Sequence, residues 1–265
     1  MTNFWEYSFI LRGLEAGILV AIIAPLIGIF LVLRRYALLA DTLSHVSLSG
    51  VAIGILLGIH PLLTAILASV ASAVVMERLR ETKRVYGDTA LSLFLSGSLA
   101  LAIVLLGLAH GLNANLFQYL FGSIVTVRSG DVWLIASLAV VGLFFLLVFY
   151  RELVAITFDE DVAAVNGLPV RFLNNCFIII AAMVIAIAIP VVGILLISAL
   201  VVIPVVAALQ LKKSFCRTVI WAEVISVAAT ILGIILSFWL DLPSGGTIVL
   251  LMLAIFAGLT FWRRF

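Results

Sequence analysis

Asp41 and His45 stand four residues apart in the segment LLADTLSHVSLSG, residues 38–50. On a helix, that spacing puts both side chains on one face, where a single ion could touch both. A carboxylate beside an imidazole suits zinc, manganese or iron, whereas copper(I) would call for Cys or Met, and neither is near. The competing reading gives the pair structural roles, with Asp41 capping the helix that starts here and His45 hydrogen-bonded to a neighbour. Two ligands alone cannot hold a divalent ion in an apolar medium, because zinc takes four and the ion's charge must be offset. A two-fold dimer meets both demands: two copies of each residue reach the axis, and the two carboxylates balance the ion's two charges.

Other charged and polar residues carry weaker signals. Glu15 lies one helical turn from Arg12, and Glu223 lies within two turns of Arg217, so both read as residues paired or snorkelling near a membrane interface. His60 and His110 fall in loops predicted to face outward, where they could receive an ion. The segment TFDEDVAAVNGLPVRF, residues 157–172, begins with Asp159, Glu160 and Asp161, which favour a helix N-terminus, and reaches Gly167 before Pro169, which ends one. It predicts a short surface helix with Ala163, Ala164 and Gly167 on a small-residue face, of the kind a docking partner needs. There is no GxxxxGK[ST] phosphate loop, HExxH pair or GxSxG elbow, so energy for any active transport must come from another chain.

The elements that must position these residues follow from composition. Of 265 residues, 65% are hydrophobic and 11% charged, against about 45–50% and about 25% in an average soluble domain. Such a chain is all-α and polytopic: a bilayer takes the apolar surface, and each helix needs about 20 apolar residues to cross it. The first 17 residues do not read as a removable signal peptide, so the first span is expected to stay. Cys176 and Cys216 suggest no disulfide framework, and a net charge of +2 gives no ground for a nucleic-acid partner.

Apolar runs predict spans over Leu14–Leu33, Leu39–Ile59, Leu62–Met76, Thr89–Ala109 and Val132–Tyr150, then Phe172–Ile189, Val191–Leu209, Val219–Leu240 and Thr247–Trp262. The break at Ile189, Pro190 and Val191 decides whether the count is eight or nine. The run Leu116–Val127 is too short to cross and predicts a re-entrant or surface half-helix. With that assignment, 13 of the 15 Lys and Arg residues fall on the cytoplasmic side, leaving Arg12 and Arg128 outside. A full crossing there would flip every later loop and give seven inside and eight outside, which the positive-inside rule disfavours. The whole chain, residues 1–265, reads as one membrane domain.

The segment LRRYALLADTLSHVSLSGVAIG (residues 33–54) resembles the most specific stretch of the permeases of zinc, manganese and iron ABC importers, typified by the bacterial high-affinity zinc-uptake permease. That family's pattern runs from arginines through an Asp-Thr-Leu-x-His core to small residues. It often has a proline after the His, where this chain has Ser49 and Gly50. Four further stretches are similar and in the same order: YLFGSIVTV, DEDVAAVNGLPV, VVGILLISALVVIP and LDLPSGGTIVL. The resemblance implies a homodimeric permease in a bacterial inner membrane, a separate cytoplasmic ATPase dimer, and an extracytoplasmic metal-binding protein. It further implies that Asp41 and His45 line the metal pathway and that the helix over 159–170 docks on the ATPase. The metal is cargo, no permanent cofactor is implied, and the chain itself is a transporter and not an enzyme. Two alternatives remain at this point. A siderophore or cobalamin permease of the same broad type would need no charged ligand pair, and a proton-coupled secondary metal transporter would rely on Glu15 and Glu223.

Overall fold

The computed structural model describes residues 8–81, 87–108, 120–122, 127–194 and 196–262. These residues form eleven principal helices and no strand: α1 (Ser8–Leu33), α2 (Ala37–Leu57), α3 (Pro61–Glu81), α4 (Gly87–Leu108), α5 (Ser129–Val148), α6 (Tyr150–Phe158), α7 (Glu160–Val165), α8 (Val170–Val192), α9 (Ile197–Leu209), α10 (Phe215–Leu240) and α11 (Ser244–Trp262). Eight of them are long and apolar enough to cross a membrane. Helices serve here because lipid offers backbone groups no hydrogen-bonding partner, so each segment must satisfy its own N–H and C=O groups. Several helices begin three to four residues before their apolar runs, with polar first turns such as those at Ser129 and Ser244.

The two ends of the bundle can be told apart by their charges. At one end Arg34 reaches α6 and α8, Arg80 reaches α7, and Phe215 sits among Phe30, Tyr150 and Phe158. At the other end Arg12 donates to Ser129 and His60 faces Asp131. The basic residues predicted to lie inside and described by the structure therefore gather at one end, as the positive-inside argument expects. Of the predicted half-helix Leu116–Val127, only residues 120–122 and Val127 are described, and His110 lies outside the described residues.

The break between the sixth and seventh predicted spans falls elsewhere than expected. α8 runs through Pro190 and ends two residues later at Val192, consistent with a residue that takes its N–H out of the ladder and crowds the carbonyl four residues back. The chain turns instead at Gly193, whose φ of +86° suits a residue without Cβ and where an added Cβ would lie 2.5 Å from the Leu120 carbonyl oxygen. α9 then spans 13 residues, about 20 Å, too short to be a full span alone. Irregular backbone around Ile194 is tolerated because it is buried in protein, away from lipid. α9 nevertheless carries the chain from the level of Ser244 to the basic end, where α10 begins, and packs against α1, α2, α10 and α11.

α2 is held on nearly all sides by α3, α4, α8 and α9. Small polar residues make the close approach possible. Ser47 shares a hydrogen bond with Ser69 of α3, and Ser49 donates to the Ser98 carbonyl of α4 at 2.6 Å. Gly50 sits against α3, where a Cβ would come within 2.6 Å of the Ala65 Cα. Where the related pattern has a proline, α2 is thus an uninterrupted helix pinned by its Ser and Gly side.

Candidate functional site

Asp41 and His45 lie on the face of α2 that this subunit leaves open. The Asp41 Oδ1 and His45 Nε2 are 3.9 Å apart, with the carboxylate 38% exposed and the imidazole 15% exposed. Two ligands on one tetrahedral metal at about 2 Å stand roughly 3.3 Å apart, so a small side-chain adjustment would let both reach the same ion. α2 begins at Ala37 after Tyr36, so Asp41 sits too far along to cap it. The imidazole Nδ1 is buried without a hydrogen-bond partner. The hydrogen bond to a neighbour that a structural role for His45 would call for is therefore not made through that nitrogen. Leu38 continues the stripe toward the basic end and is exposed; Ser47 on the opposite face is buried, and so is Ser49 one turn beyond His45, where α4 closes over the stripe. Among the described residues, no cluster of three His, Cys, Asp or Glu is present, so one subunit supplies only this pair.

Immediately below the pair, toward the basic end, charges are fully engaged. Glu77 of α3 is buried and accepts two hydrogen bonds from Arg80, one at 2.9 Å and one at 2.5 Å. Arg80 also donates to the Tyr36 hydroxyl at 2.6 Å, lies over the Tyr36 ring, and comes within 3.6 Å of Glu160. Glu160 in turn accepts from Asn174 of α8, which accepts from Arg34. Arg34 donates as well to Thr157 and to the Leu153 carbonyl, and covers the Phe177 ring at 5.0 Å. Burial lowers the Arg34 guanidinium to about 10, with the charge of Glu160 working the other way, so it keeps its proton at neutral pH. Burial raises the Tyr36 phenol, which therefore stays a hydroxyl able to accept from Arg80. The turn holding these side chains in register puts Arg35 at φ +61°, an uncommon conformation for a residue with a Cβ.

The surface helix predicted over 159–170 is α7. Asp159 caps it, accepting from the Val162 N–H at 2.9 Å, and Gly167 at φ +83° turns the chain away. Its small-residue face divides. Ala164 and Gly167 are exposed, but Ala163 is buried against Ile156, Val170 and Leu173. Outward, α7 presents two apolar side chains, Val162 at 55% and Val165 at 88% exposure, beside the exposed carboxylates of Glu160 and Asp161.

The sequence model of the ABC 3 transport family matches residues 6–263 of this chain, which takes in the eight-span bundle, the Asp41/His45 pair and α7. This chain belongs to that family. It is 37% identical over 94% of its length to a probable metal transport system membrane protein of Treponema pallidum, covering 96% of that protein. It is 30% identical to the manganese transport system membrane protein MntC of Listeria monocytogenes, over 95% of this chain and 89% of that one. The high-affinity zinc uptake system membrane protein ZnuB of Haemophilus influenzae is also 30% identical, over 92% of this chain and 94% of that one. Among solved structures, PsaBC from Streptococcus pneumoniae in complex with Fab superposes with a TM-score of 0.86 at 28% identity, covering 97% of this chain and 92% of that chain. The family member described here is accordingly a multi-pass membrane transport protein.

The remaining expected positions separate by environment. Glu15 is exposed on α1, as an interface residue would be. Glu223 is half-buried on α10, and its Oε1 lacks a hydrogen-bond partner, so the expected pairing with the basic segment is not made through that atom. His60 faces Asp131 at 3.6 Å, and Asp131 also accepts from the Arg128 N–H, capping α5. Asp131, Glu77, Tyr36 and Asn174 were not singled out from sequence. The three-residue spacing of Glu77 and Arg80 is the one local signal that could have flagged part of this set; the other partners come from segments far apart in the chain.

Proposed function

We propose that this chain is the permease subunit of an ABC importer that carries manganese or zinc inward, with Asp41 and His45 as its ligands to the ion. The observation that carries the reading is the open, under-partnered face of α2, where a carboxylate and an imidazole stand 3.9 Å apart. A second copy of the chain, related by a two-fold axis along that face, supplies the other Asp41 and His45. Four ligands and two negative charges then meet a divalent cation with no net charge left in the bilayer. The relatives named for manganese and zinc transport support this cargo class.

Transport proceeds by alternating access. An ion handed over by an extracytoplasmic binding protein enters between the two subunits, sits on the two Asp41/His45 pairs, and leaves inward when the subunits rearrange. No bond in the cargo is broken. A separate ATPase dimer docks on α7 and drives the rearrangement, and the exposed Val162 and Val165 supply the apolar contact that such docking needs. The deciding experiment is ATP-dependent uptake of labelled manganese and zinc into proteoliposomes holding the permease and its ATPase, supplied with loaded binding protein. Uptake that needs ATP and is lost in Asp41→Asn is the expected result. Full uptake by correctly inserted Asp41→Asn protein would remove these ligands from the mechanism, and uptake driven by a proton gradient without the ATPase would replace the mechanism altogether.

A further inference from the structure

We propose that Glu160 is a positioning residue for the metal pair: through Arg80 and Tyr36 it ties α7 to the first turn of α2, so that a displacement of α7 is delivered to Asp41 and His45. This rests on the reading of α7 as the helix that docks on the ATPase.

The links can be followed atom by atom. Glu160 opens α7 and uses its two carboxylate oxygens in different directions. Oε1 accepts from Asn174 at 3.0 Å, which joins α7 to α8 and, through Arg34, to α6 and the end of α1. Oε2 lies 3.6 Å from Arg80 Nη1, and that same nitrogen donates to the Tyr36 hydroxyl. The guanidinium is a planar fork gripped by both oxygens of buried Glu77. It cannot turn toward or away from Glu160 without pulling on Tyr36, because its donors move as one rigid plane. Tyr36 is the residue at which α2 begins, and Asp41 follows five residues on, about 7.5 Å along the axis. A continuous helix carries a displacement at its first turn that far with little loss.

The links differ in firmness, and the difference suits a switch. Arg80 to Glu77 and Arg80 to Tyr36 are short and partly buried, whereas Glu160 is 48% exposed and its approach to Arg80 exceeds hydrogen-bond length. The contact between α7 and the α2–α3 pair is therefore the one that can tighten or release at low cost. A small cavity bounded by Tyr36, Met76, Glu77, Arg80, Leu91 and Ile178 lies at the same place, so the Tyr36 ring is not fully enclosed.

The test uses the full importer in proteoliposomes, with ATP hydrolysis and manganese uptake measured in the same sample. Glu160→Gln keeps the side chain's size and its acceptor for Asn174 but removes the charge that faces Arg80. Tyr36→Phe keeps the ring under Arg80 and removes the hydroxyl. Each variant should hydrolyse ATP within about twofold of the unsubstituted importer while uptake per ATP falls about five- to tenfold. The double variant should be no worse than the poorer single one, since both interrupt one line. Normal uptake per ATP in both single variants would overturn the proposal. So would a double loss equal to the product of the single losses, or a fall in ATP hydrolysis that matches the fall in uptake. A second measurement needs no cargo, so its failure is distinct from failure of the metal reading: spin labels at exposed position 57, on the outer end of α2, report the distance between the two subunits. That distance should shift on ATP binding in the unsubstituted protein and stay unchanged in Glu160→Gln; an equal shift in both would refute the relay.

Discussion

Asp41 and Glu77 are carboxylates on adjacent helices of one bundle, and their surroundings are opposite. Glu77 is 2% exposed and receives both arms of Arg80, so its charge is cancelled within the subunit. Asp41 is 38% exposed and has beside it an imidazole at 3.9 Å whose other nitrogen is bare. A charge that is fully paired inside a membrane protein holds structure together or transmits movement. A charge left under-paired at an open face is free to take a cation, at the cost of being less stable until the cation or a second subunit arrives.

Removing each carboxylate in turn is the most direct way to break this contrast. Asp41→Asn should abolish manganese and zinc uptake, a loss of at least about 100-fold, because the dimer site would then hold two uncompensated charges at about 3 kcal/mol or more. Melting of the purified protein should change little. His45→Ala should also abolish uptake, while His45→Asp should retain part of the manganese flux and less of the zinc flux, since manganese accepts oxygen ligands more readily. Glu77→Ala should behave in the opposite way: it takes from half-buried Arg80 the carboxylate that holds both its arms, leaving only Tyr36 and Glu160, and should cost about 3 kcal/mol, read as a lowered melting temperature in detergent. Glu77→Ala with an unchanged melting temperature would break the assignment of Glu77 to structure.

Smaller effects sharpen it. Gly50→Val places a branched side chain where a Cβ already comes within 2.6 Å of Ala65, so α2 and α3 must separate, at about 1–3 kcal/mol. On α7, Val165→Arg should leave melting unchanged but weaken co-purification with the ATPase, because Val165 is 88% exposed. Ala163→Arg should instead lower the melting temperature, because Ala163 is packed inward. The smallest change is expected for Glu223→Gln, with uptake within about twofold of normal. A large loss there would give α10 a share in the pathway and reopen the proton-coupled reading.

Much of this was legible along the chain because the governing forces act locally. The density of apolar residues decides that helices cross a bilayer, and the bias of Lys and Arg separates their two ends, so the class of fold needed no contacts between helices, whereas the choice between eight and nine spans did. The four-residue spacing of Asp41 and His45 settles that they share a face for the same reason. The acidic start and glycine stop of α7 are capping signals read within ten residues, and both hold in the structure.

What required the tertiary structure was the environment of each of these groups. Hydropathy could not tell that α8 passes through Pro190 and yields at Gly193, because the turn is set by the close approach of residues 120–122, some 70 positions away. Nor could it tell that Ala163 faces inward while Val165 faces out, since a six-residue helix has too few turns to show a pattern. Residue type and spacing alone determined that an Asp and a His on one helix could share an ion. Whether a charge is cancelled or left open depends on which distant segments fold against it, and Tyr36, Glu77, Glu160 and Asn174 meet only because five helices converge at the basic end. Electrostatic partners act through space over a few ångströms, without regard to their separation along the chain, so only the fold could decide that Arg80 is occupied and His45 is not.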